Sequence, residues 1–249
     1  MIPCISVANM RESDRKTIET LVPSLTLMYR AAMGVFRAAS WAGETVIAVG
    51  GGNNGGVGFA LSCILREAGH ACRVVTLSEH LSPDSAHFAA KAKRLGVPVS
   101  AYWPGAFSGS DTIVDCLLGT GFTGEVREPY RSAIEEMNAA LARVVSVDIP
   151  SGMNGDTGEA STAVRSDLTV TIGFVKNGLI QDKAGSYISR LVVADIGIEL
   201  DREEHWICDP NDLTENPLTP ETMLFPAPAW LETRPINVRA VDYNPVKKK

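Results

Sequence analysis

Apolar residues along this chain fall into short runs, and the stretches between the runs repeat with helical spacing. The runs TVIAVG (45–50), CRVVTL (72–77), DTIVDCLLG (111–119) and RVVSVDIP (143–150) are rich in β-branched residues. They predict buried β-strands. PVSAY (98–102), DLTVTIGF (167–174) and RLVVADIGI (190–198) predict three more. Residues 58–69, 82–96 and 128–141 read as helices. Gly69 and Gly96 stand where helices stop, and Ser82 where one starts. Ahead of the first strand, residues 11–39 predict two helices parted at Pro23, because proline disfavours the helical state in the residue before it. Leu25, Leu27, Met28, Ala32 and Phe36 form an apolar stripe on the second.

Strands that alternate with helices and read as continuous apolar runs predict a parallel sheet covered on both faces. The expected fold class is α/β: a doubly wound, Rossmann-like three-layer sandwich with a mostly parallel sheet, N-terminal helices and an irregular Pro-rich C-terminal tail. Residues 1–200 form the expected domain. Residues 201–249 carry seven of the chain's fourteen prolines and no sustained period, so an irregular C-terminal extension is expected there. It would lie along the surface or bind a partner, with Trp206 and Trp230 as aromatic anchors.

Composition narrows the function classes. The 249 residues are 45% hydrophobic and 21% charged, as in ordinary globular proteins. A net charge of -6 argues against a general nucleic-acid or anionic-membrane binder. No apolar stretch reaches the length of a membrane span, and MIPCISVANMRESDRK lacks the apolar core of a signal peptide. Five cysteines with no C-x-x-C pair argue against a disulfide framework or a zinc site. A cytoplasmic protein in a reducing compartment is expected.

In open α/β sheets, ligands bind beyond the carboxyl ends of the strands. Three such exits carry chemistry. The first, VGGGNNGGVG (49–58), holds six glycines in ten positions with Asn53 and Asn54 among them. Glycines let backbone N–H groups converge on an anion, and the start of a helix adds partial positive charge. Taken literally, Gly50, Gly52 and Gly55 also satisfy G-x-G-x-x-G, with Glu79 placed as a ribose-binding acid, which is a dehydrogenase reading. The second exit is DCLLGTGFTGEVREPY (115–130). Asp115 lies among apolar residues, so it must be hydrogen-bonded, paired or bound to a cation. The third is VDIPSGMNGDTG (147–158), where Asp148 likewise ends an apolar run and Ser151 follows a stiffening Pro150. Two strand-end aspartates facing a glycine loop suit general acid/base work or an oxygen-lined cation site. His70, His80, His87 and His205 fall at none of these exits, so a Ser–His–Asp triad has no members. Cys116 faces away from Asp115 on a regular strand and belongs to the core. Lys176 would meet a pyrophosphate or be solvated.

GGGNNGGVG, DTIVDCLLGTGFTGEVREPY, VVSVDIPSGMNGDTG and DLTVTIGFVKNGL together resemble, in order and spacing, the YjeF N-terminal domain of the NAD(P)H-hydrate epimerases. The resemblance covers about residues 10–198. Ordinary nicotinamide dehydrogenases lack the D-x-P-S-G stretch. The resemblance implies an α/β sandwich, usually a homodimer. It implies an isomerase of nicotinamide cofactor repair that interconverts the R and S forms of hydrated NADH and NADPH, so that an ATP-dependent dehydratase, here on another protein, can restore the S form. Asn53, Asn54, Gly55, Gly56 and Val57 would line the substrate. Gly119, Thr120, Gly121, Phe122, Thr123, Gly124 and Glu125 would do so too, with Asp148. Asn54, Asp115 and Ser151 would bind a potassium ion. Asp115 or Asp148 would move the proton. The chain departs from the family pattern at Val57, where an aspartate is usual, and in LMYRAA, where Tyr29 replaces an acid and Ala32 a glycine. A substrate or network contact should therefore be missing at Val57. The alternative is a catalytically impaired ligand-binding or scaffold module, as in mRNA-decapping scaffolds that carry a similar domain.

Overall fold

The computed structural model describes residues 2–207 and 237–241. In chain order the elements are β1 (Ile2–Ile5), α1 (Val7–Thr20), α2 (Ser24–Ala38), β2 (Thr45–Val49), α3 (Asn53–Glu67), β3 (Cys72–Thr76), α4 (Pro83–Arg94), β4 (Val99–Ala101), β5 (Thr112–Cys116), α5 (Tyr130–Ala139), β6 (Arg143–Val147), β7 (Leu168–Ile172), β8 (Val175–Lys176), β9 (Leu191–Asp195), β10 (His205–Ile207) and β11 (Asn237–Val241). The main sheet runs β11-β9-β7-β6-β5-β2-β3-β4. Its seven strands from β9 to β4 are parallel, and β11 closes one edge antiparallel. From β2 the chain first builds outward through β3 and β4, then returns to β5 and builds the other way. The strand order therefore reverses between β2 and β5, which opens a crevice at their carboxyl ends.

Alternation along the strands sorts the core into two layers. Ile47, Val49, Val114 and Val145 pack under α2, α3 and α4, while Val46, Ala48, Ile113 and Val144 pack under α5. Asp115 thus belongs to the α5 face, and Cys116 is buried in the α3 face. Burial pushes the Cys116 thiol well above its ordinary range, as suits an inert core residue.

Two helices start earlier than the sequence pattern indicates. α1 begins at Val7 because Ser6 caps it, its hydroxyl accepting from the Asn9 N–H. α3 begins at Asn53, so most of the glycine run is helix rather than loop. Its glycines serve close packing. A Cβ on Gly55 would overlap the Gly50 carbonyl oxygen, and one on Gly50 would overlap that of Leu117. Bare backbone is what lets the first turn of α3 sit against the exits of β2 and β5.

α1 lies outside the main layers. Its buried side is polar: the Asn9 amide donates to the Arg202 carbonyl, and the Ser13 and Thr17 hydroxyls accept from the Asp201 and Glu199 N–H groups. β10, β1 and β8 form a second, three-stranded sheet. Strands of two to five residues at 2–5, 175–176, 205–207 and 237–241 are too short for a periodic signal, and pairing with neighbours defines them. The rest of 201–249, including Trp230 and the side chain of Trp206, lies outside the described residues.

Candidate active site

The crevice between the β2 and β5 exits opens into a cavity of about 890 Å³. One wall is the start of α3 with residues 51–54 and Val57. A second is the segment 117–123 after β5. Asp148, Ile172 and Lys176 supply the floor, and α1 and α2 face them across the opening. Arg11 of α1 ties this helix to the opposite wall, donating to the Thr120 carbonyl at 2.5 Å.

Asp115 is fully buried and does not line the cavity. Its Oδ1 accepts from the Ser151 hydroxyl (2.5 Å) and the Leu117 N–H (3.2 Å), and its Oδ2 from the Ser146 hydroxyl and the Ser151 N–H, both at 2.9 Å. Ser146 pairs with Asp115 in register across β5 and β6 and so meets it on the same face. Burial drives the Asp115 carboxyl up from its ordinary range, against the downward pull of hydrogen bonds from Ser151, Leu117 and Ser146. The carboxyl locks the turn at Ser151 under the end of β5. Ser151 passes that order on: its hydroxyl, whose proton goes to Asp115, accepts from the Leu118 N–H at 2.8 Å.

Asn54 reaches the same place from α3, its amide nitrogen 3.0 Å from the Leu118 carbonyl and 3.3 Å from that of Val147. The residues expected to hold potassium are therefore brought together. They offer one carboxylate, one hydroxyl and one amide oxygen, a donor set that fits a hard cation of low charge. Among the described residues no cluster of three His, Cys, Asp or Glu side chains could build a transition-metal centre.

Asp148 is the aspartate that faces the cavity. It sits just past β6 with φ of 70°, a left-handed conformation that costs a non-glycine residue about 1–3 kcal/mol. What holds it is Lys176. The lysine side chain is 1% exposed and reaches Asp148 Oδ1 at 2.5 Å, the Ile172 carbonyl at 2.7 Å and the Thr171 hydroxyl at 3.0 Å. All three ammonium protons thus have acceptors. The Lys176 side chain is not solvated, which corrects one of the two sequence expectations; it lies at the cavity floor with its protons engaged by the protein. β8 is only two residues long, but it pairs with β1 and turns the side chain inward. A lysine after an apolar strand gives no sign of that from sequence.

The remaining expected residues divide. Asn53, Asn54, Val57, Asp148 and residues 119–123 line the cavity. Gly55 and Gly56 do not: they are buried in the first turns of α3. Gly124 and Glu125 line a neighbouring cavity of about 780 Å³ that shares Phe122 with the first. Glu79 is exposed and lines neither. Val57 is 8% exposed and forms an apolar wall with Leu27, Met28, Ile196 and Ile198. Tyr29, the other departure from the family pattern, is buried and stacks on Phe88 of α4 with ring centroids 6.5 Å apart. Both positions that usually carry an acid are thus built into apolar packing. Asp14 of α1, which sequence reading passed over, also lines the cavity.

Known proteins resemble this chain in sequence and in fold. The family model described as "YjeF-related protein N-terminus" matches residues 24–178. The chain is 38% identical over 199 residues to an NAD(P)H-hydrate epimerase of Limosilactobacillus fermentum, covering 77% of this chain and 95% of that protein. It is 36% identical over 196 residues to a bifunctional NAD(P)H-hydrate repair enzyme of Coxiella burnetii, covering 76% of this chain and 40% of that protein. Among solved structures, the crystal structure of yeast ynu0 superposes with a TM-score of 0.68 at 20% identity, covering 84% of this chain and 97% of that one.

Proposed function

The chain belongs to the YjeF-related N-terminal family, and from that premise we propose that it is an isomerase of cofactor repair, an NAD(P)H-hydrate epimerase. The substrate is hydrated NADH or NADPH, bound in the cavity at the β2–β5 switch point. The observation that carries the reading is the Asp148–Lys176 pair: a carboxylate held by a buried ammonium, in a strained backbone conformation, at the floor of that cavity. Such an arrangement suits proton transfer at a fixed point.

Epimerisation inverts the ring carbon that bears the hydroxyl. In the proposed course the hydroxyl takes a proton and leaves as water with the C–O electron pair, while the ring nitrogen's lone pair closes a C=N bond. Water then returns to the other face and gives up a proton. Asp148 lines the cavity and Asp115 does not, so Asp148 is assigned the proton transfer. Asp115 is a positioning residue that holds Ser151 and the 117–118 turn. The N–H groups at the start of α3 and the loop 119–123 favour phosphate and sugar oxygens. Asn54, Asp115 and Ser151 would hold a potassium ion, which supplies a fixed positive charge beneath that loop when bound.

The family resemblance supports a homodimer and an ATP-dependent dehydratase as the next enzyme on the S form. Cys4, Cys63, Cys72 and Cys116 are buried free thiols, which supports a reducing, cytoplasmic setting. Among the described residues no helix is long and apolar enough to cross a membrane. Residues 1–200 are proposed as the epimerase domain, with 201–249 as its extension.

The test supplies NADH hydrate enriched in the R form, with potassium, and follows the epimers by chromatography. Conversion to S without redox change, with one solvent oxygen entering per inversion in H2(18)O, is expected. Binding without conversion would replace the reading with a ligand-binding module, and consumption tied to a second substrate would replace it with a dehydrogenase.

A further inference from the structure

Loss and return of water uses both faces of the substrate ring. The hydroxyl departs from one face and water arrives on the other, so each face needs its own proton-handling group. Asp148 serves the sheet side. The other side of the cavity is α1, where Met10, Asp14 and Ile18 follow one another at intervals of four and all line the space. Asp14 is thus a carboxyl set between two apolar side chains. It is half-buried, and among the described residues it makes no hydrogen bond and no ion pair. Carboxylates withdrawn from water ordinarily have protein partners. On the same helix Glu12 and Glu19 both pair with Arg15, so the missing partner is particular to Asp14.

Resting on the epimerase reading, we propose that Asp14 is a second catalytic residue, handling the proton on the α1 face of the ring while Asp148 handles it on the sheet face. The surroundings of the two carboxyls differ in the required sense. Asp148 has the Lys176 ammonium against it. Asp14 is raised above its ordinary carboxylate range, first by burial and then by the like charge of Asp148, with Lys176 pulling weakly the other way. Two carboxyls in one cavity, one paired with an ammonium and the other without a partner among the described residues, are the pattern of an acid and a base.

The step balances. Asp14 gives its proton to the departing hydroxyl, the C–O bond breaks, and water leaves with the electron pair as nitrogen closes the C=N bond. A second water adds its oxygen to the same carbon from the other face, the C=N pair returns to nitrogen, and the water's proton passes to Asp148. No electron enters or leaves the nucleotide. Between turnovers Asp148 releases its proton to solvent and Asp14 regains one.

The test measures epimerisation of R-enriched NADH hydrate by the full chain with potassium, for wild type, Asp14→Asn and Asp14→Glu, with binding of the hydrate measured by calorimetry. Asp14→Asn should lower kcat at least about 100-fold, with KM and the measured affinity nearly unchanged. Asp14→Glu should recover part of the rate. Asp14→Ala gives a second reading if the amide variant does not melt cooperatively. If wild type turns over and Asp14→Asn keeps its kcat, or loses only affinity, Asp14 is not an acid/base residue and the epimerase reading stands. An inactive wild type would sink both.

Discussion

Replacing Lys176 by methionine keeps the apolar stem and removes an ammonium whose three protons are all used inside the protein. The change leaves the Asp148 carboxylate with only the long Ile172 N–H contact at 3.4 Å and the Ile172 carbonyl short of a donor, while the Thr171 hydroxyl can still use the Phe174 carbonyl at 3.4 Å. Removing one partner of a sealed ion pair costs about 3–5 kcal/mol. Here the lysine side chain is 1% exposed, but Asp148 keeps 14% of its surface and faces a cavity that admits water. The lower end applies, about 3 kcal/mol. For a chain of this size each kcal/mol moves Tm by about 2–4 °C, so Lys176→Met should melt about 6–12 °C below wild type. Urea denaturation should show the same loss, and epimerase turnover should fall with it because Asp148 is no longer held. The double variant Lys176→Met/Asp148→Asn should recover stability relative to Lys176→Met alone, since it strands no charge. A Lys176→Met protein that melts less than about 2–4 °C below wild type, the equivalent of 1 kcal/mol, would refute the account. The pair would then be a crossing of two solvated groups rather than a brace.

Three further outcomes follow from the site. Ser151→Ala removes the hydroxyl between Asp115 and Leu118 and should cost about 1.5–3 kcal/mol, the worth of a hydrogen bond to a charged group. Wild type should also melt higher in KCl than in an equal concentration of a large organic cation. Ser151→Ala should lose that difference, and an equal response in both proteins would remove Ser151 from the cation site. Val57→Asp, although it restores the usual family residue, puts a carboxylate into an apolar wall. It should destabilise by about 1–3 kcal/mol without raising turnover; a faster enzyme of unchanged Tm would mean the network still lacks that acceptor. Asp14→Asn should be more stable than wild type at neutral pH. A carboxyl whose native pKa is raised binds its proton more tightly when folded, so its contribution is present below the unfolded value near 3.8 and is lost as pH rises through the raised native value. The stability gap between Asp14→Asn and wild type should therefore open across that window and vanish below it, as pH-dependent melting will show.

Much of this protein was determined locally. Seven parallel strands and the helices between them follow from runs of β-branched residues and from spacing near 3.6, signals summed over contiguous residues. The two-helix start parted at Pro23 and the stops at Gly69 and Gly96 are equally local. So are the three strand exits, because a doubly wound sheet places its ligand at strand ends whatever the loops contain. The motifs around Asn54, Asp115 and Ser151 mark residues that the structure brings together at the β5 exit. Tertiary structure decided the rest. Only packing shows that Gly55 and Gly56 are helix rather than loop, that Asp115 is sealed below the cavity while Asp148 faces it, and that Val57 completes an apolar wall. Asp14, Asp148 and Lys176 lie on three elements scattered along the chain. Asp14 alone reads as an ordinary charged residue, Asp148 as one of two strand-end aspartates, and Lys176 as a lysine that meets a pyrophosphate or water. Their chemistry exists only where the sheet, its short second layer and the first helix enclose one space, since burial and opposing charge, not residue type, set what a carboxyl or an ammonium can do.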